Sequence, residues 1–233
     1  MVARLKKNFG LKKAVRIRVG LRKILFLICL TMGMKALGAM SFDFQALGKN
    51  SRIELGLVTN FSGGTIRGDF SRVVGKIEFP VESPNKASGQ LELDAHSIRF
   101  GHRKVAGDAH SVNWLNSAKF PSIVFILQGM KQIRWEGKSL YATAFGSLSL
   151  KNRTVSLSVP LKMQYRRGTR RKYDGFNGDL LMMQGESLIS RSQLGINSGL
   201  ALDSVLDRVL VRVHLLGASN KVRPFLPSAL FRR

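Results

Sequence analysis

Short segments in which apolar and polar residues alternate follow one another along most of this chain. In the clearest of them, Val209, Val211 and Val213 share one face and Arg212 lies on the other. Because successive side chains of a strand point to opposite sides of a sheet, a period of two predicts strands with one apolar face. Turn-forming residues separate these segments at intervals of about eight to twelve residues, which is typical of an all-β sandwich or barrel.

Each of the predicted strands has one apolar face. They are residues 41–46, 52–58, 65–70, 74–79, 89–95, 122–128, 139–150, 154–165, 180–189 and 205–216. One apolar and one largely polar face per strand predicts one apolar interior and a solvated exterior. A barrel embedded in lipid would have the reverse pattern with aromatic rims, and the two Trp and three Tyr of this chain are few for that.

The alternation breaks between the predicted strands 89–95 and 122–128. Val112, Leu115 and Ala118 lie roughly one helical turn apart, and Pro121 follows the segment. We predict a short helical insert near residues 111–119, which covers an apolar surface, in a chain that otherwise consists of strands and turns.

The first 39 residues differ from the rest. Ten Lys or Arg and no acidic residue accompany the apolar run 24–34, whose eleven residues fit a signal-peptide core and are too few to cross a bilayer. Small residues follow, so we expect residues 1–39 to be a signal peptide that is cleaved near Gly38 or Ala39. An uncleaved membrane anchor is the less favoured alternative. The absence of an Arg-Arg pair before the run favours the general secretory route.

The composition of the mature chain limits its chemistry and its partners. The only cysteine, Cys29, lies in the leader, so the remainder has no disulfide, thiol nucleophile or thiolate metal site. Removal of the leader lowers the net charge from +24 to +14, which attracts phosphate-rich partners. An exported protein meets lipid phosphates more often than nucleic acid. We therefore expect no nucleic-acid partner.

Catalytic motifs are scarce. The chain has no G-x-S-x-G elbow, phosphate-binding loop or dinucleotide fingerprint. His96, His102 and His110 lie within fifteen residues and suggest a metal-assisted enzyme, but the basic loop between the first two would repel a cation. Asp108 and His110 either cap a turn, which is the favoured interpretation, or form an acid–base or metal site. We expect no enzyme activity, no cofactor and no metal.

The apolar faces have the capacity to hold a ligand. A small barrel is either filled by its own side chains or holds one ligand, and the sequence leaves both open. Because burial of a long alkyl or isoprenoid chain contributes about 0.8 kcal/mol per CH₂, a modest tunnel could bind such a chain without a specific polar contact. The candidate tunnel and lid residues are Ile53, Leu55, Leu57, Phe70, Ile77, Phe79, Leu91, Leu93, Trp114, Leu115, Phe120, Ile123, Phe125, Leu148, Leu157, Val209, Val211 and Val213.

A basic run ends the strand 154–165, and a basic tail ends the chain. The run has two interpretations, a solvated hairpin tip or a contact with anionic headgroups or an anionic membrane surface. Its cationic residues are Arg166, Arg167, Arg170, Arg171 and Lys172. Residues 217–233 contain two Pro and four basic residues and are expected to be an appended tail.

Five motifs follow one another in register along residues 51–216. They are SRIELGL with GGTIRGDFSRVVGKIEF, LELDAHSI with GDAH, WLNSAKFPSIVF, GSLSLKNRTVSLSVPL, and SLISRSQLGIN. In this order they resemble the motifs of the YceI-like family of exported lipid-binding proteins. The chain departs from the family pattern at Gly107, where the family has an arginine that Arg103 could replace, and at Leu194, where the family has a phenylalanine.

The resemblance implies a fold and a function. Residues 40–216 would form an antiparallel, lipocalin-like β-barrel of about eight strands, with a tunnel for an isoprenoid or similar amphiphile and a periplasmic location. A polar mouth or turn would be formed by Asp108, His110, Arg103 and Arg191. The favoured hypothesis is therefore a carrier without catalysis. The alternative is a cationic envelope-surface binding module with a filled core. The sequence leaves the oligomeric state open, a dimer included.

Overall fold

The computed structural model describes residues 39–60, 63–196 and 204–223. The predicted leader, up to Gly38, and residues 224–233 of the predicted tail lie outside the described residues. No helix among the described residues is both long enough and apolar enough to cross a membrane.

The described residues form strands connected mainly by tight turns. The strands are β1 (Met40–Asp43), β2 (Arg52–Thr59), β3 (Thr65–Phe70), β4 (Val73–Phe79), β5 (Ser88–Asp94), β6 (Ile98–Phe100), β7 (Ser122–Glu136), β8 (Ser139–Leu150), β9 (Arg153–Arg166), β10 (Leu180–Ser190) and β11 (Val205–Ala218). The helices are α1 (Arg103–His110) and α2 (Arg171–Asp174), and the 3₁₀ turns are Gly48–Asn50, Pro84–Lys86, Ala95–Ser97 and Ser192–Leu194.

The sheet closes into an eight-stranded antiparallel barrel, which confirms the predicted fold class. Strands β7 to β11 are continuous neighbours, and β11 returns to pair with β2 and, at Ala218, with β1. The first six strands form three long strands, each of which is interrupted once. These are β1 with β2, β3 with β4, and β5 with β6. They are neighbours because β1 pairs with β4 and β2 with β3, while β5 pairs with β4 and β6 with β3. The barrel is therefore a simple up-and-down meander.

Glycine permits the tight approach of two of these strands. Gly75 has a φ of +130°, a conformation that side chains rarely adopt, and a Cβ there would lie 2.1 Å from the carbonyl oxygen of Gln90. Gly89, on the facing strand, has a φ of +153° and meets Lys76 in the same way. These two positions let β4 and β5 bend sharply together.

The helix lies earlier than the sequence pattern predicts. Helix α1 occupies residues 103–110, whereas the predicted insert, residues 111–119, is a series of turns. Two observations explain the error. Asn116 has a φ of +49°, which ends any helix, and Val112 is 72% exposed, so the apolar spacing did not mark one buried helical face.

The two ends of the barrel are built differently. We call the end that carries α1, the turns 111–120, the β8–β9 turn and the 3₁₀ turn after β10 the insert end. The opposite end, with the β7–β8 turn and the loop 167–179, is the packed end. The register places the β7–β8 turn and the loop together, because Ser139 pairs with Gln164 and Arg166 pairs with Leu180.

The half of the barrel next to the packed end is filled with side chains. Phe42, Phe44, Leu140, Met163 and Leu181 are almost completely buried there. The Phe42 ring makes edge-to-face contacts with Phe79 and Tyr165, at centroid distances of 6.5 and 6.2 Å. Such pairs stabilise a core beyond the area that they bury.

A buried carboxylate organises the loop at the packed end. Asp179 is fully buried and accepts hydrogen bonds from the Tyr165 hydroxyl and from the backbone amides of Gly168 (2.6 Å) and Arg223 (2.9 Å). Burial and this carboxylate raise the pKa of Tyr165 far above its ordinary value, so the phenol stays a donor. The predicted tail thus begins inside the fold: Gly217 and Ala218 belong to β11, and Ser219 and Arg223 are buried beyond it, while the three residues between them are exposed.

Candidate functional site

The half of the barrel toward the insert end contains an apolar cavity of about 200 Å³. Thirty side chains line it, and all except Arg191 are apolar. Native cores contain few voids larger than one water molecule, which needs roughly 10–15 Å³. The space is therefore a cavity of ligand size and not a gap in packing.

Most of the predicted tunnel residues lie around this cavity. The lining contains sixteen of the eighteen: Ile53, Leu55, Leu57, Phe70, Ile77, Leu91, Leu93, Trp114, Leu115, Ile123, Phe125, Leu148, Leu157, Val209, Val211 and Val213. The other two lie elsewhere. Phe79 belongs to the filled half, beside Phe42, because β4 has already passed the cavity at that point. Phe120 is half-buried in the turns before β7, with the Lys119 ammonium 5.5 Å from its ring centre.

Sequence reasoning missed part of the lining. The missed apolar residues are Val73, Ile98, Phe100, Leu127, Ala144, Leu150, Val159, Leu161, Met183, Ile189, Leu194, Ile196 and Leu215. Strict alternation carried further along β8, β9 and β11 would have found several of them, for example Leu161, which lies on the face of Leu157. By contrast, β6 is only three residues long and gives no periodic signal.

A lid covers the cavity at the insert end. Trp114 and Leu115 from the turns after α1, and Leu194 and Ile196 from the segment after β10, are buried above it. The Trp114 ring makes an edge-to-face contact with Phe100 at 6.5 Å. The lid is therefore made of two separate chain segments, which need something to hold them together.

Lys151 connects the two segments of the lid. It lies in the β8–β9 turn with a φ of +50°, and its ammonium donates to the carbonyl oxygens of Trp114 (2.7 Å), Val112 (3.2 Å) and Gly195 (3.2 Å). Burial, and secondarily the nearby charge of Arg153, lowers the pKa of Lys151. No sequence signal identified this residue, because its partners lie far away along the chain.

Arg191 is the polar member of the lining. Its guanidinium donates to the carbonyl oxygens of Ile196 (2.8 Å), Val205 (3.1 Å) and Leu206 (3.3 Å). These bonds fix the start of β11 against the end of β10. Because its donors are bonded to backbone carbonyl groups of the lid, the arginine contributes only the aliphatic part of its side chain to the cavity surface.

The other predicted mouth residues do not line the cavity. Arg103 is the exposed first residue of α1, and Asp108 lies in the last turn of that helix, so GDAH ends a helix and does not precede one. His110 Nδ1 lies 3.0 Å from the buried Ser117 hydroxyl and its ring stacks on His96 at 6.5 Å. Among the described residues, no group of three His, Cys, Asp or Glu could hold a metal ion.

The basic cluster lies at the packed end, away from the cavity, and one member was interpreted wrongly. Arg170 is buried, pairs with Asp174 at 2.8 Å and donates to the carbonyl oxygen of Ser219 at 3.2 Å. It therefore cannot contact an anionic surface. Arg167 donates to the carbonyl oxygen of Arg223, whereas Arg171 and Lys172 are exposed on α2.

Sequence comparison identifies the family of this barrel. The model of the YceI-like domain matches residues 44–216, which is most of the chain. The chain belongs to the YceI-like family. The resemblance carried by its five motifs is thereby confirmed. No curated protein is similar enough in sequence to count as a match.

Solved structures of YceI-like proteins share the fold. BcnA of Burkholderia cenocepacia is 20% identical, with a TM-score of 0.56 over 71% of this chain and 95% of its own. A polyisoprenoid binding domain from Saccharophagus degradans is 14% identical, with a TM-score of 0.56 over 78% and 99%. The YceI protein of Campylobacter jejuni is 11% identical, with a TM-score of 0.52 over 66% and 85%. At these identities the likeness establishes the fold of this YceI-like protein.

Proposed function

We propose that this YceI-like protein is an exported carrier that holds a long-chain isoprenoid or another amphiphilic lipid in its barrel, without catalysis. The observation that carries the proposal is the cavity of about 200 Å³ with an apolar lining. The solved polyisoprenoid binding domain of the same fold supports an isoprenoid as the ligand class.

The chemistry of the lining favours binding of a hydrocarbon chain. Its leucine, isoleucine, valine and aromatic side chains offer dispersion contacts along the whole cavity. Each CH₂ of a buried chain contributes about 0.8 kcal/mol to the binding free energy, so burial of about a dozen carbons could retain a chain without a specific polar contact.

The same lining offers little for a reaction. No hydroxyl, carboxyl, imidazole or thiol group belongs to the lining side chains that the structure describes. General acid–base and nucleophilic catalysis both require such groups at the reacting atoms. This favours transport or sequestration over chemistry.

A periplasmic site of action is part of the proposal. It rests on the basic, apolar and small-residue pattern of residues 1–39, which is typical of a cleaved signal peptide. Expression with periplasmic fractionation and N-terminal sequencing of the product tests it. A mature protein that starts near Ala39 or Met40 supports export, and an intact leader on cytosolic protein contradicts it.

Native mass spectrometry tests the ligand. Protein purified without detergent is expected to carry a lipid that leaves on collisional activation, and its mass identifies the chain. The variant Leu157→Trp should lose this lipid because its larger side chain enters the cavity. Ile126→Trp, on the exposed outer wall of β7, is the matched control and should keep it. Recovery of folded wild-type protein that takes up no lipid, even after incubation with polyisoprenoid, contradicts the proposal.

The alternative of a filled barrel is less compatible with these observations. A surface-binding module with a solid core would have side chains throughout the barrel interior. Here side chains fill only the half of the barrel next to the packed end, and the other half contains the apolar cavity. Surface binding does not require a solid core, however, and the packed end carries features of its own.

A further inference from the structure

Aromatic side chains are held outward at the packed end. Phe176 is 65% exposed and Tyr173 is 51% exposed, both in the loop 167–179, and Trp135 at the end of β7 is 43% exposed. The loop is well anchored, because Arg170 is buried against Asp174 and Ser219, and Asp179 holds the backbone of Gly168. The exposure of these rings is therefore a property of an ordered loop.

Exposed cations that form no ion pair lie at the same end of the barrel as these rings. Arg171, Lys172, Lys138 and Lys221 are exposed, and none of them takes part in an ion pair within the residues that the structure describes. Arg166 is also exposed, with a hydrogen bond to the neutral Gln164.

Most acidic groups of the same end are already occupied, although Glu78 on β4 is exposed and forms no ion pair within the described residues. Asp174 pairs with the buried Arg170, and Glu136 pairs with Arg134 at 3.0 Å. Glu82 contacts Arg223. Asp179 lies below the surface with three donors around it. The exposed charge that remains is mainly positive, and it lies at the same end of the barrel as the exposed aromatic rings.

We propose that the packed end is a docking surface for an anionic lipid bilayer. The docking surface consists of Trp135, Tyr173 and Phe176 with Lys138, Arg166, Arg171, Lys172 and Lys221. Aromatic rings favour the headgroup region of a bilayer, and clustered Lys and Arg are attracted to anionic lipids. A protein partner would be expected to offer acidic groups to ordered ion pairs, whereas a bilayer suits unpaired cations on long side chains. Docking in this way directs the cavity and its lid away from the bilayer.

The proposal goes beyond lipid carriage and is tested separately from it. Residues 39–223 contain the closed barrel and its core, so a chain that begins at Ala39 carries the whole fold and lacks the apolar leader. Flotation with vesicles of phosphatidylglycerol and phosphatidylcholine should recover this protein at low salt. Vesicles of phosphatidylcholine alone, or about 0.5 M salt, should release it because salt screens exposed charges.

Matched pairs of substitutions locate the surface. The double variants Arg171→Ser/Lys172→Ser and Tyr173→Ser/Phe176→Ser should each weaken vesicle binding at least tenfold. The controls at the insert end, Arg103→Ser/Lys104→Ser and Leu188→Ser/Leu206→Ser, remove equal charge and comparable exposed apolar area and should bind within twofold of wild type. Circular dichroism confirms that each variant is folded. Equal losses in the control pairs, or unchanged binding of the aromatic variant, overturn the proposal.

The two tryptophans report the orientation. Trp135 lies on the docking surface, whereas Trp114 is buried within the lid at the opposite end. The Trp114→Phe variant retains Trp135. With vesicles that contain brominated lipid, its tryptophan fluorescence should be quenched, and salt should restore it. The Trp135→Phe variant should show no salt-reversible quenching, because a lipid held in the cavity stays after the vesicles are released. Salt-reversible quenching of Trp114 instead of Trp135 overturns the proposal.

Discussion

Two cationic residues, Lys151 and Arg170, direct their charge to backbone carbonyl groups inside the fold. Lys151 joins the two segments of the lid, and Arg170 joins α2 to the chain after β11. Neither is an ordinary surface charge, although Arg170 lies in highly basic sequence. At the residue scale, the positive composition of this chain thus includes structural charges as well as solvated ones.

The variant Lys151→Met tests the role of the lid lysine. Methionine keeps the length of the side chain but leaves three carbonyl groups without their donor, which should lower the free energy of unfolding by about 1–3 kcal/mol. Release of bound lipid should also become faster. Chemical denaturation and stopped-flow lipid release measure the two effects. Lys138→Met, in the β7–β8 turn at the other end, is the matched control, and an equal effect there would contradict the assignment.

Side chains on regular strands were predictable, and those with distant partners were not. Leu55, Leu157 and Val211 line the cavity because the period of two already places them on the apolar face. Lys151 and Arg170 bond to residues up to 50 positions away, and the sequence contains no local mark of such a contact. Both interpretations of the basic run, a solvated tip or an anionic-surface contact, require exposed side chains, and Arg170 does not meet this requirement.

At the scale of elements, a carboxylate holds the turn where β10 ends and the lid begins. Asp207, in the irregular stretch of β11, accepts hydrogen bonds from the Ser190 hydroxyl and from the backbone amide of Ser192 (2.9 Å). The Ser190 bond is the main cause that lowers the pKa of Asp207 below the ordinary 3.8, with help from Ser192 and Arg191. The ionised form is therefore the one that stabilises the fold.

The pH dependence expected of the Asp207→Asn variant follows from the lowered pKa of this carboxyl group. Because the pKa is lower in the folded state, the stabilisation is complete above the ordinary carboxyl range and is lost as the pH falls through the folded value. The variant should melt below wild type at pH 6, and the gap should close as the pH falls below about 3.8. Thermal melts across this range measure it. Glu186→Gln, on an exposed pair with Arg212, should change stability less. A gap that persists at pH 2 would contradict the role of the ionised carboxylate.

The elements themselves were predictable to different degrees. Long alternating segments gave β8, β9, β10 and β11 nearly to their ends. The short strand β6 and the helix α1 were missed, because three residues show no period and RKVAGDAH has too few apolar residues to mark a face. Local backbone conformation at Asn116 then overrode the apolar spacing of the following turns.

At the scale of the whole molecule, the barrel is filled in one half and hollow in the other. Amides of the filled half, near Phe42, Met163 and Leu181, should exchange hydrogen only through global unfolding, since local opening there exposes buried apolar contacts. Amides near Trp114 and Leu194 should exchange faster without lipid and slow when lipid binds. Exchange measured by mass spectrometry with and without polyisoprenoid checks this. Uniform protection along the barrel, unchanged by lipid, would contradict it.

The filled half has a consequence for how such a barrel can change over generations. Most mutations in a cavity wall threaten stability, and a protein near its stability threshold cannot accept many of them. Here the packed side chains of one half stabilise the closed sheet away from the cavity, so replacements around the cavity should alter its contour while the architecture persists. One scaffold can then acquire new cargo by exchange of a few wall residues, and the same property makes the hollow half the natural region for redesign.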